Sequence, residues 1–140
     1  MFSKILVGLD GSEASRHALL QAIELAALTG GGVTALSVEE RLPAYAATVG
    51  ELDEEKAFKN EYFLKIHAEA RALAERQHVT FEGRIVAGHA ADQLVRGARD
   101  GTYDLLVIGH AGHSRFHGLL LGSTADRVVE HAPCPVLVTR

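Results

Sequence analysis

Residues 4–12 read KILVGLDGS, and this stretch decides the fold. Its first six residues form a compact run of mostly aliphatic side chains, which is typical of a buried strand. The following Asp10-Gly11-Ser12 supplies a turn and, in Ser12, a residue type that caps helices. Alanine and leucine then recur three or four residues apart, so a helix is predicted to follow. The helical stripe consists of Ala14, Ala18, Ala22, Leu25 and Leu28.

The same alternation of strand-like and helix-like runs continues along the rest of the chain. Further strands are predicted at 33–38, 80–86, 104–109 and 135–139, and further helices at 51–78, 91–101 and 125–132. Phe58, Tyr62, Ile66, Ala70 and Leu73 form the predicted apolar stripe of the long second helix. The run 104–109, DLLVIG, is apolar throughout its middle, which indicates a strand buried on both faces. The run 80–86 alternates instead, which favours a place near an edge of the sheet.

Strands that alternate with helices imply right-handed crossovers and a mostly parallel sheet with helices on both faces. The prediction is therefore a doubly wound α/β fold with five strands. The chain has 140 residues and contains no linker, internal repeat or low-complexity tract, so residues 1–140 are predicted to form a single domain.

Composition and charge argue against several classes of function. No apolar run approaches the about 20 residues of a membrane-spanning helix, and no signal peptide is recognised, so a cytoplasmic protein is expected. The net charge of −4 argues against nucleic-acid binding, which needs a basic face. The single cysteine, Cys134, has no partner for an internal disulfide and is interpreted as a small buried hydrophobic residue.

Two predicted strand-to-helix junctions are unusual. They are 8–12, GLDGS, and 109–123, GHAGHSRFHGLLLGS. Ligands of such folds bind outside the carboxyl ends of the strands, where the winding reverses. Glycines let backbone amides approach an anion, and Gly122-Ser123-Thr124 opens a helix whose amides and dipole favour negative charge. On spacing alone, a tight turn with Ser123 as a helix cap explains the second junction equally well.

The second junction resembles the ATP-binding branch of the universal stress protein family. It matches that family's pattern of Gly, two residues, Gly, nine residues, Gly and then Ser or Thr. The resemblance extends from the opening KILVGLDGS, through a second strand ending at Val38, to the closing LLLGSTADRVVEHAPCPVLV. It implies a Rossmann-like fold of the adenine nucleotide alpha hydrolase type. It also implies ATP as the ligand, with Mg²⁺ bridging its phosphates.

The resemblance also implies roles for individual residues. Gly8 and Asp10 would flank the nucleoside and the metal–phosphate region, and Asp10 would suit Mg²⁺ as an oxygen ligand. Val38 would offer backbone groups to the adenine edge. The loop from Gly109 would wrap the ribose and phosphates, and Gly122 with the two residues after it would hold the terminal phosphates. The implied nucleotide-binding residues are Gly8, Asp10, Val38, Gly109, His110, Gly112, His113, Ser114, Arg115, Gly122, Ser123 and Thr124.

The sequence departs from the family at the start of this loop. The family commonly reads Gly-Ser/Thr-His-Gly-Arg/Lys, whereas this chain has His113 in place of the permanent cation. Arg115 is expected to take over the phosphate contact. Nucleotide affinity is expected to rise as the pH falls from about 7.5 to 6, because His113 gains charge. A transition-metal site formed by His110, His113 and His117, with His89, is a weaker hypothesis, because their helical spacing falls in a predicted loop.

The parts of a dedicated hydrolase are missing from the sequence. There is no Gly-x-Ser-x-Gly elbow and no Gly-Lys-Ser/Thr ending of a Walker A loop. A nucleophile set drawn from Ser114, His117 and Asp10 is not supported by any such motif. The chain is therefore not predicted to be a dedicated enzyme, although slow ATP hydrolysis stays open.

The predicted function is regulatory, in the response to stress. ATP would stabilise one arrangement of the loops around the site, and an unidentified protein partner would read it. A homodimer is expected through strands Val136 to Thr139, because an apolar edge of this kind tends to be paired. Two alternatives remain: a structural or interaction subunit with a vestigial pocket, and a protein whose true ligand is AMP or cyclic AMP.

Overall fold

The computed structural model describes residues 1–40, 49–111 and 121–140, with side chains described outside 49–59. Within these residues, five strands alternate with four helices. The elements are β1 (Lys4–Gly8), α1 (Glu13–Thr29), β2 (Gly32–Glu39), α2 (Val49–Arg76), β3 (Thr80–Ala87), α3 (Ala90–Asp100), β4 (Leu105–Gly109), α4 (Ser123–His131) and β5 (Val136–Thr139). Each predicted strand is present, with ends that differ from the prediction by one residue at most.

The five strands form one sheet in the order β3-β2-β1-β4-β5, and every neighbouring pair is parallel. The chain winds outward from β1 to β3 and then returns to the other side of β1 with β4 and β5. This confirms the predicted doubly wound α/β fold and places β3 at an edge, as expected. The winding reverses between β1 and β4, where such folds bind ligands.

The core consists of two apolar layers, one on each face of the sheet. Helices α1 and α2 cover one face, where they bury residues such as Ile5, Val7 and Val107. Helices α3 and α4 cover the other face, against Leu6 and Leu106. Because β1 and β4 lie in the middle of the sheet, side chains on both of their faces are buried. The prediction that DLLVIG is buried on both faces is confirmed.

The buried faces of the two long helices follow the predicted stripes in part: Ala14, Ala18 and Ala22 of α1 and Ile66 and Ala70 of α2 are buried, and Leu25 and Leu73 pack partly buried against the core. Leu28, at the end of the predicted stripe of α1, is 86% exposed, while Leu19 and Ile23 are buried. The three-residue steps after Ala22 turn the predicted stripe away from the sheet, because the α-helix has 3.6 residues per turn. In α2, Tyr62 is 37% exposed, and the buried residues from position 60 onward are Phe63, Ile66, His67, Ala70 and Ala74, while Phe58 of the predicted stripe lies outside the described side chains. The spacing of apolar residues therefore identifies most of the buried face of both helices, and packing against the sheet decides the remaining positions.

Two further sequence expectations concern the burial of Cys134 and the absence of a membrane-spanning helix. Cys134 packs, partly buried, against the apolar layer under α3 and α4, and burial raises the pKa of its thiol. Within the described residues, none of the helices combines the length and the apolar composition that crossing a bilayer requires.

Candidate functional site

A cleft of about 610 Å³ opens at the carboxyl edge of the sheet, where the winding reverses. Its volume is typical of small-molecule sites. Its described lining residues are Gly8, Leu9, Asp10, Ser12 and Ser15 around the end of β1, Leu36, Val38 and Glu40 around the end of β2, Tyr62 and Phe63 of α2, Ala90 and Leu94 of α3, Ile108, Gly109 and Ala111 around the end of β4, and Gly122, Ser123, Thr124 and Ala125 at the start of α4.

Most of the predicted nucleotide-binding residues lie together at this cleft. Those that line it are Gly8, Asp10, Val38, Gly109, Gly122, Ser123 and Thr124. His110 does not line it, since its amide donates to the Thr139 carbonyl at 2.7 Å and its Nδ1 lies 3.3 Å from the same oxygen. Gly112, His113, Ser114 and Arg115, together with His117, fall outside the described residues. The predicted roles of those five residues stay predictions.

The first junction, between β1 and α1, is held by its own side chains. The Ser12 amide donates to Asp10 Oδ1 at 2.9 Å. Ser12 is the N-cap of α1, and its Oγ accepts from the Ser15 amide at 3.2 Å. Between them, Gly11 has a φ of +85°, and a Cβ there would lie 2.0 Å from the Tyr62 hydroxyl oxygen. Only glycine fits this turn, because both its backbone conformation and the close approach of α2 exclude a side chain.

The second junction leads into α4, and its described residues provide no such capping side chain. The N-cap of α4 is Gly122, with extended backbone, and it makes no side-chain cap hydrogen bond among the described residues. Ser123 is the first helical residue, so the alternative in which Ser123 caps the helix is wrong. Ser123, Thr124 and Ala125 all line the cleft. The positive end of the α4 dipole and the first amides of that helix therefore lie at the cleft wall.

Close packing by itself requires glycine at the end of β4. A Cβ on Gly109 would lie 2.7 Å from the Ala14 Cβ and 2.8 Å from the Ala14 carbonyl carbon. The absence of a side chain lets α1 pack directly against β4. Gly109 thus has a structural role in addition to any contact with a ligand.

Sequence reasoning missed the side of the cleft that α2 provides, and also Glu40, which lies two residues beyond the predicted Val38. Tyr62 and Phe63 project from α2, with ring centroids 5.6 Å apart and planes tilted by 54°. Glu40 follows β2 directly, and its Oε1 accepts from the Ala90 amide at 3.3 Å, which joins β2 to the start of α3. Two adjacent aromatic residues in a helix were the one available signal, but only tertiary packing places them at this cleft.

The lining of the cleft includes two chemically different regions. Leu36, Val38 and Leu94 make one region apolar, whereas Ser123 and Thr124 at the start of α4 make the other polar. Such a division suits a ligand that joins a flat apolar ring to an anionic group. No group of three or more His, Cys, Asp and Glu side chains that could hold a metal ion occurs within residues 1–40, 60–111 and 121–140.

Behind the cleft, His67 of α2 is buried against β2. Its Nε2 lies 2.7 Å from Ser37 Oγ, and the Ser37 hydroxyl donates to the Leu9 carbonyl. Because a hydroxyl has one hydrogen, Nε2 of His67 must donate to Ser37, so the neutral ring carries its proton on Nε2. Burial and, secondarily, the positive charge of Arg71 lower the pKa of His67. His67 is therefore a neutral link, through Ser37, between α2 and Leu9 of the first junction.

Comparison with known proteins agrees with this geometry. The profile of the universal stress protein family matches residues 1–140. A universal stress protein of Thermus aquaticus is 33% identical over 142 residues, covering 100% of each chain. The universal stress protein UspA from Lactobacillus plantarum superposes with a TM-score of 0.81 at 29% identity, over 99% of this chain and 98% of that chain. A universal stress protein in complex with cAMP gives a TM-score of 0.74 at 29% identity, over 97% and 95%. This chain therefore belongs to the universal stress protein family.

Proposed function

We propose that the chain binds an adenine nucleotide in this cleft and acts as a regulatory protein whose conformation depends on that nucleotide. One observation carries the proposal: an apolar region and the start of α4, whose cap residue Gly122 has no side chain, line the same cleft at the switch point of the sheet. The similar protein in complex with cAMP supports an adenine ligand for this family member too.

The adenine ring would lie in the apolar region between Leu36, Val38 and Leu94. The pairing of β1 with β2 ends beside Leu36, because the last paired residue of β1 is Gly8, opposite Leu36. The last hydrogen bond between the two segments runs from the Leu9 amide to the Leu36 carbonyl, at 3.0 Å. Backbone groups alternate along a strand, so Val38 directs its amide and carbonyl to the same side as Leu36, beyond the end of β1. Those two groups can pair with the edge of a purine.

The phosphate groups would lie at the start of α4. The amides after Gly122 and the hydroxyls of Ser123 and Thr124 are donors for phosphate oxygens there. Magnesium, when bound, would supply positive charge between the phosphates and Asp10. Among the described residues Asp10 does not belong to a group of three or more His, Cys, Asp and Glu side chains, so the nucleotide and water would provide most of the other oxygens.

The proposal does not include efficient hydrolysis. None of the described residues that line the cleft is lysine, arginine or histidine, so the charge of a leaving phosphate has no described cation to stabilise it. The same observation favours a second candidate, in which the ligand is AMP or cyclic AMP. A single phosphate needs only the start of α4, whereas ATP also needs the cations that the sequence places at His113 and Arg115.

Thermal unfolding with and without nucleotide tests the proposal. A ligand present at 100 times its dissociation constant adds about 2.7 kcal/mol to the free energy of unfolding. ATP, ADP, AMP and cyclic AMP, each with and without Mg²⁺, are expected to differ in the shift they cause, and their order identifies the ligand. An unchanged midpoint with all of them would contradict nucleotide binding and favour a structural subunit with a vestigial pocket.

The proposal includes a two-fold homodimer formed through β5. The two edges of the sheet differ: β3 carries the exposed Glu82 and Arg84, whereas β5, VLVT, carries no charge. Charged side chains on an edge strand oppose pairing with another strand, and an apolar edge permits it. A homodimer in the cytoplasm, read by a protein partner, is the assembly we infer.

A single edge substitution tests the dimer. The Pro135 carbonyl accepts a hydrogen bond from the Leu106 amide, and the Thr139 carbonyl accepts one from the His110 amide. The backbone groups of the odd-numbered residues of β5 therefore face β4, and the Val138 amide points away from the sheet. Val138→Pro removes that outward donor without removing a bond to β4, and we expect monomers in sedimentation velocity. Val138→Ala is the matched control, because it loses side-chain packing but keeps the amide, and it should remain dimeric. A dimeric Val138→Pro variant would contradict pairing through this edge.

A further inference from the structure

A second cavity, of about 430 Å³, lies between α3 and α4 and shares no lining residue with the first cleft. We call it the arginine groove. It is lined by Ala91, Asp92, Val95, Arg96, Arg99, Arg127 and His131. The proposed nucleotide function does not use any of these residues.

Basic side chains from the two helices flank the groove. Arg96 and Arg99 are three residues apart on α3, and Arg127 and His131 are four apart on α4. Residues at these spacings lie about one turn apart on the same face of a helix. Three guanidinium groups and the His131 imidazole therefore surround a common space. The floor is apolar, since Ala91 is buried and the partly buried Val95 belongs to the core beneath.

The groove is positive although the chain as a whole is negative. Three arginines and one aspartate line it, whereas the chain has 14 basic and 18 acidic residues. Arg127 pairs with Asp92 at 3.1 Å and Arg99 with Asp100 at 3.2 Å, both in exposed positions where ion pairs contribute little to stability. Within the part of the chain that the structure describes, Arg96 has no ion-pair partner.

We propose that the arginine groove binds an acidic segment of a protein partner. Guanidinium groups bind carboxylates through two parallel hydrogen bonds, so Arg96 and Arg99 would each hold an acidic side chain. An aliphatic side chain of the same segment would rest on the floor at Ala91 and Val95. A free phosphate would make no use of that floor, and a nucleic acid needs a longer basic track than two helical turns provide.

The position of the groove connects it to the first cleft. Ala90 and Leu94 of α3 line the cleft, and the start of α4 lines it too. Val95 and Arg96, the next residues along α3, line the groove. A ligand that changes the position of α3 relative to α4 therefore also changes the width of the groove. This second step rests on the proposed nucleotide function, and the coupling it predicts is reciprocal.

A labelled peptide tests the groove. The probe is a fluorescein-labelled 12-residue peptide of glutamate and leucine, and its binding is measured by fluorescence anisotropy at low salt. The wild-type chain should bind this peptide and should not bind the same peptide with lysine in place of glutamate. The double variant Arg96→Glu/Arg99→Glu should lose at least about tenfold in affinity. Arg96→Lys/Arg99→Lys keeps the charge but not the paired hydrogen bonds, so its loss should be smaller.

The matched control separates the groove from net charge. Lys65 and Arg76 are exposed on α2, so Lys65→Glu/Arg76→Glu makes the same change in charge on the other face of the sheet. This control should bind the peptide like the wild type. Equal losses in both double variants, or tighter binding of inorganic tripolyphosphate or single-stranded RNA than of the peptide, would overturn the proposal. Thermal unfolding of each variant verifies that it is folded.

Nucleotide binding is measured on the same variants. If the peptide does not bind while the nucleotide still shifts the unfolding midpoint, the groove proposal fails and the nucleotide proposal stands. If the peptide binds in the groove while no nucleotide shifts the unfolding midpoint, the nucleotide proposal fails and the groove proposal stands. If both bind, saturating nucleotide should change the peptide affinity at least about fivefold. A peptide affinity that does not respond would overturn the connection between the two sites.

Discussion

The two strand-to-helix junctions at the cleft differ in whether a side chain caps the free backbone amides at the start of the helix. At the β1–α1 junction the Ser12 hydroxyl caps α1 from within the chain. At the start of α4 the cap position is Gly122, which has no side chain to offer. Replacing a serine cap by glycine costs only a few tenths of a kcal/mol, so the chain loses little stability by having Gly122 at this position. The difference teaches that one junction is built for stability, while the other leaves donors that an anionic ligand can use.

The largest expected effect comes from filling the second junction. A Cβ on Gly122 would lie 3.2 Å from the Ala111 Cα and 3.3 Å from the His110 carbonyl oxygen, and valine adds two methyl groups beyond it. Gly122→Val should therefore reduce nucleotide affinity roughly 100-fold, or about 2.7 kcal/mol, measured by titration calorimetry.

The matched control for this variant is Gly32→Val. Gly32 begins β2, at the opposite end of the strand from the cleft, and a Cβ there meets Thr80 only at ordinary contact distances of 3.4 Å or more. Its nucleotide affinity should be unchanged. Wild-type affinity in a folded Gly122→Val protein would show that the second junction does not hold the phosphates.

Removing the cap of the first junction should mainly affect stability. Ser12→Ala leaves the Ser15 amide without its side-chain acceptor, so the free energy of unfolding should fall by about 1 kcal/mol in urea titrations. Ser12→Asp keeps an acceptor at the cap and should retain most of that stability. If Ser12→Ala were as stable as the wild type, the cap would not be what distinguishes this junction.

The corresponding substitution at α4, Ser123→Ala, should affect nucleotide affinity more than the free energy of unfolding. Ser123 is the first helical residue and not the cap, so Ser123→Ala should change the free energy of unfolding by less than about 0.5 kcal/mol. Its nucleotide affinity should fall about two- to tenfold, because one hydroxyl donor to phosphate is lost. A stability loss like that of Ser12→Ala would erase the difference between the two junctions.

The smallest effect concerns pH and the first junction alone. The pKa of His67 is lowered below its ordinary value of 6.5 by burial and by Arg71. The unfolded chain therefore takes up this proton first, so the contribution of His67 to stability is full above about pH 6.5 and is lost as the pH falls below it. His67→Gln keeps a donor for Ser37 but does not titrate. Between pH 7 and 5, its free energy of unfolding should fall less steeply than that of the wild type, and equal slopes would contradict this role.

Most of the fold could be predicted because its signals are local. Compact apolar runs separated by helical spacings identify strands and helices wherever they occur in the chain, and their alternation leaves few topologies. Several site residues could be predicted for the same reason, because Gly8, Asp10, Gly122 and Ser123 stand directly after a strand or at the start of a helix. The carboxyl ends of parallel strands meet at one edge, so these positions had to come together.

The sequence by itself determined the order of the strands and helices, the parallel sheet and the edge at which a ligand would bind. Only the tertiary structure decided that Tyr62 and Phe63 wall the cleft and that His110 turns to β5. It also decided that basic residues of α3 and α4 surround a common groove. These outcomes depend on how a helix rotates about its axis and packs against its neighbour. The spacing of apolar residues constrains that rotation loosely, whereas close packing in the folded core determines it.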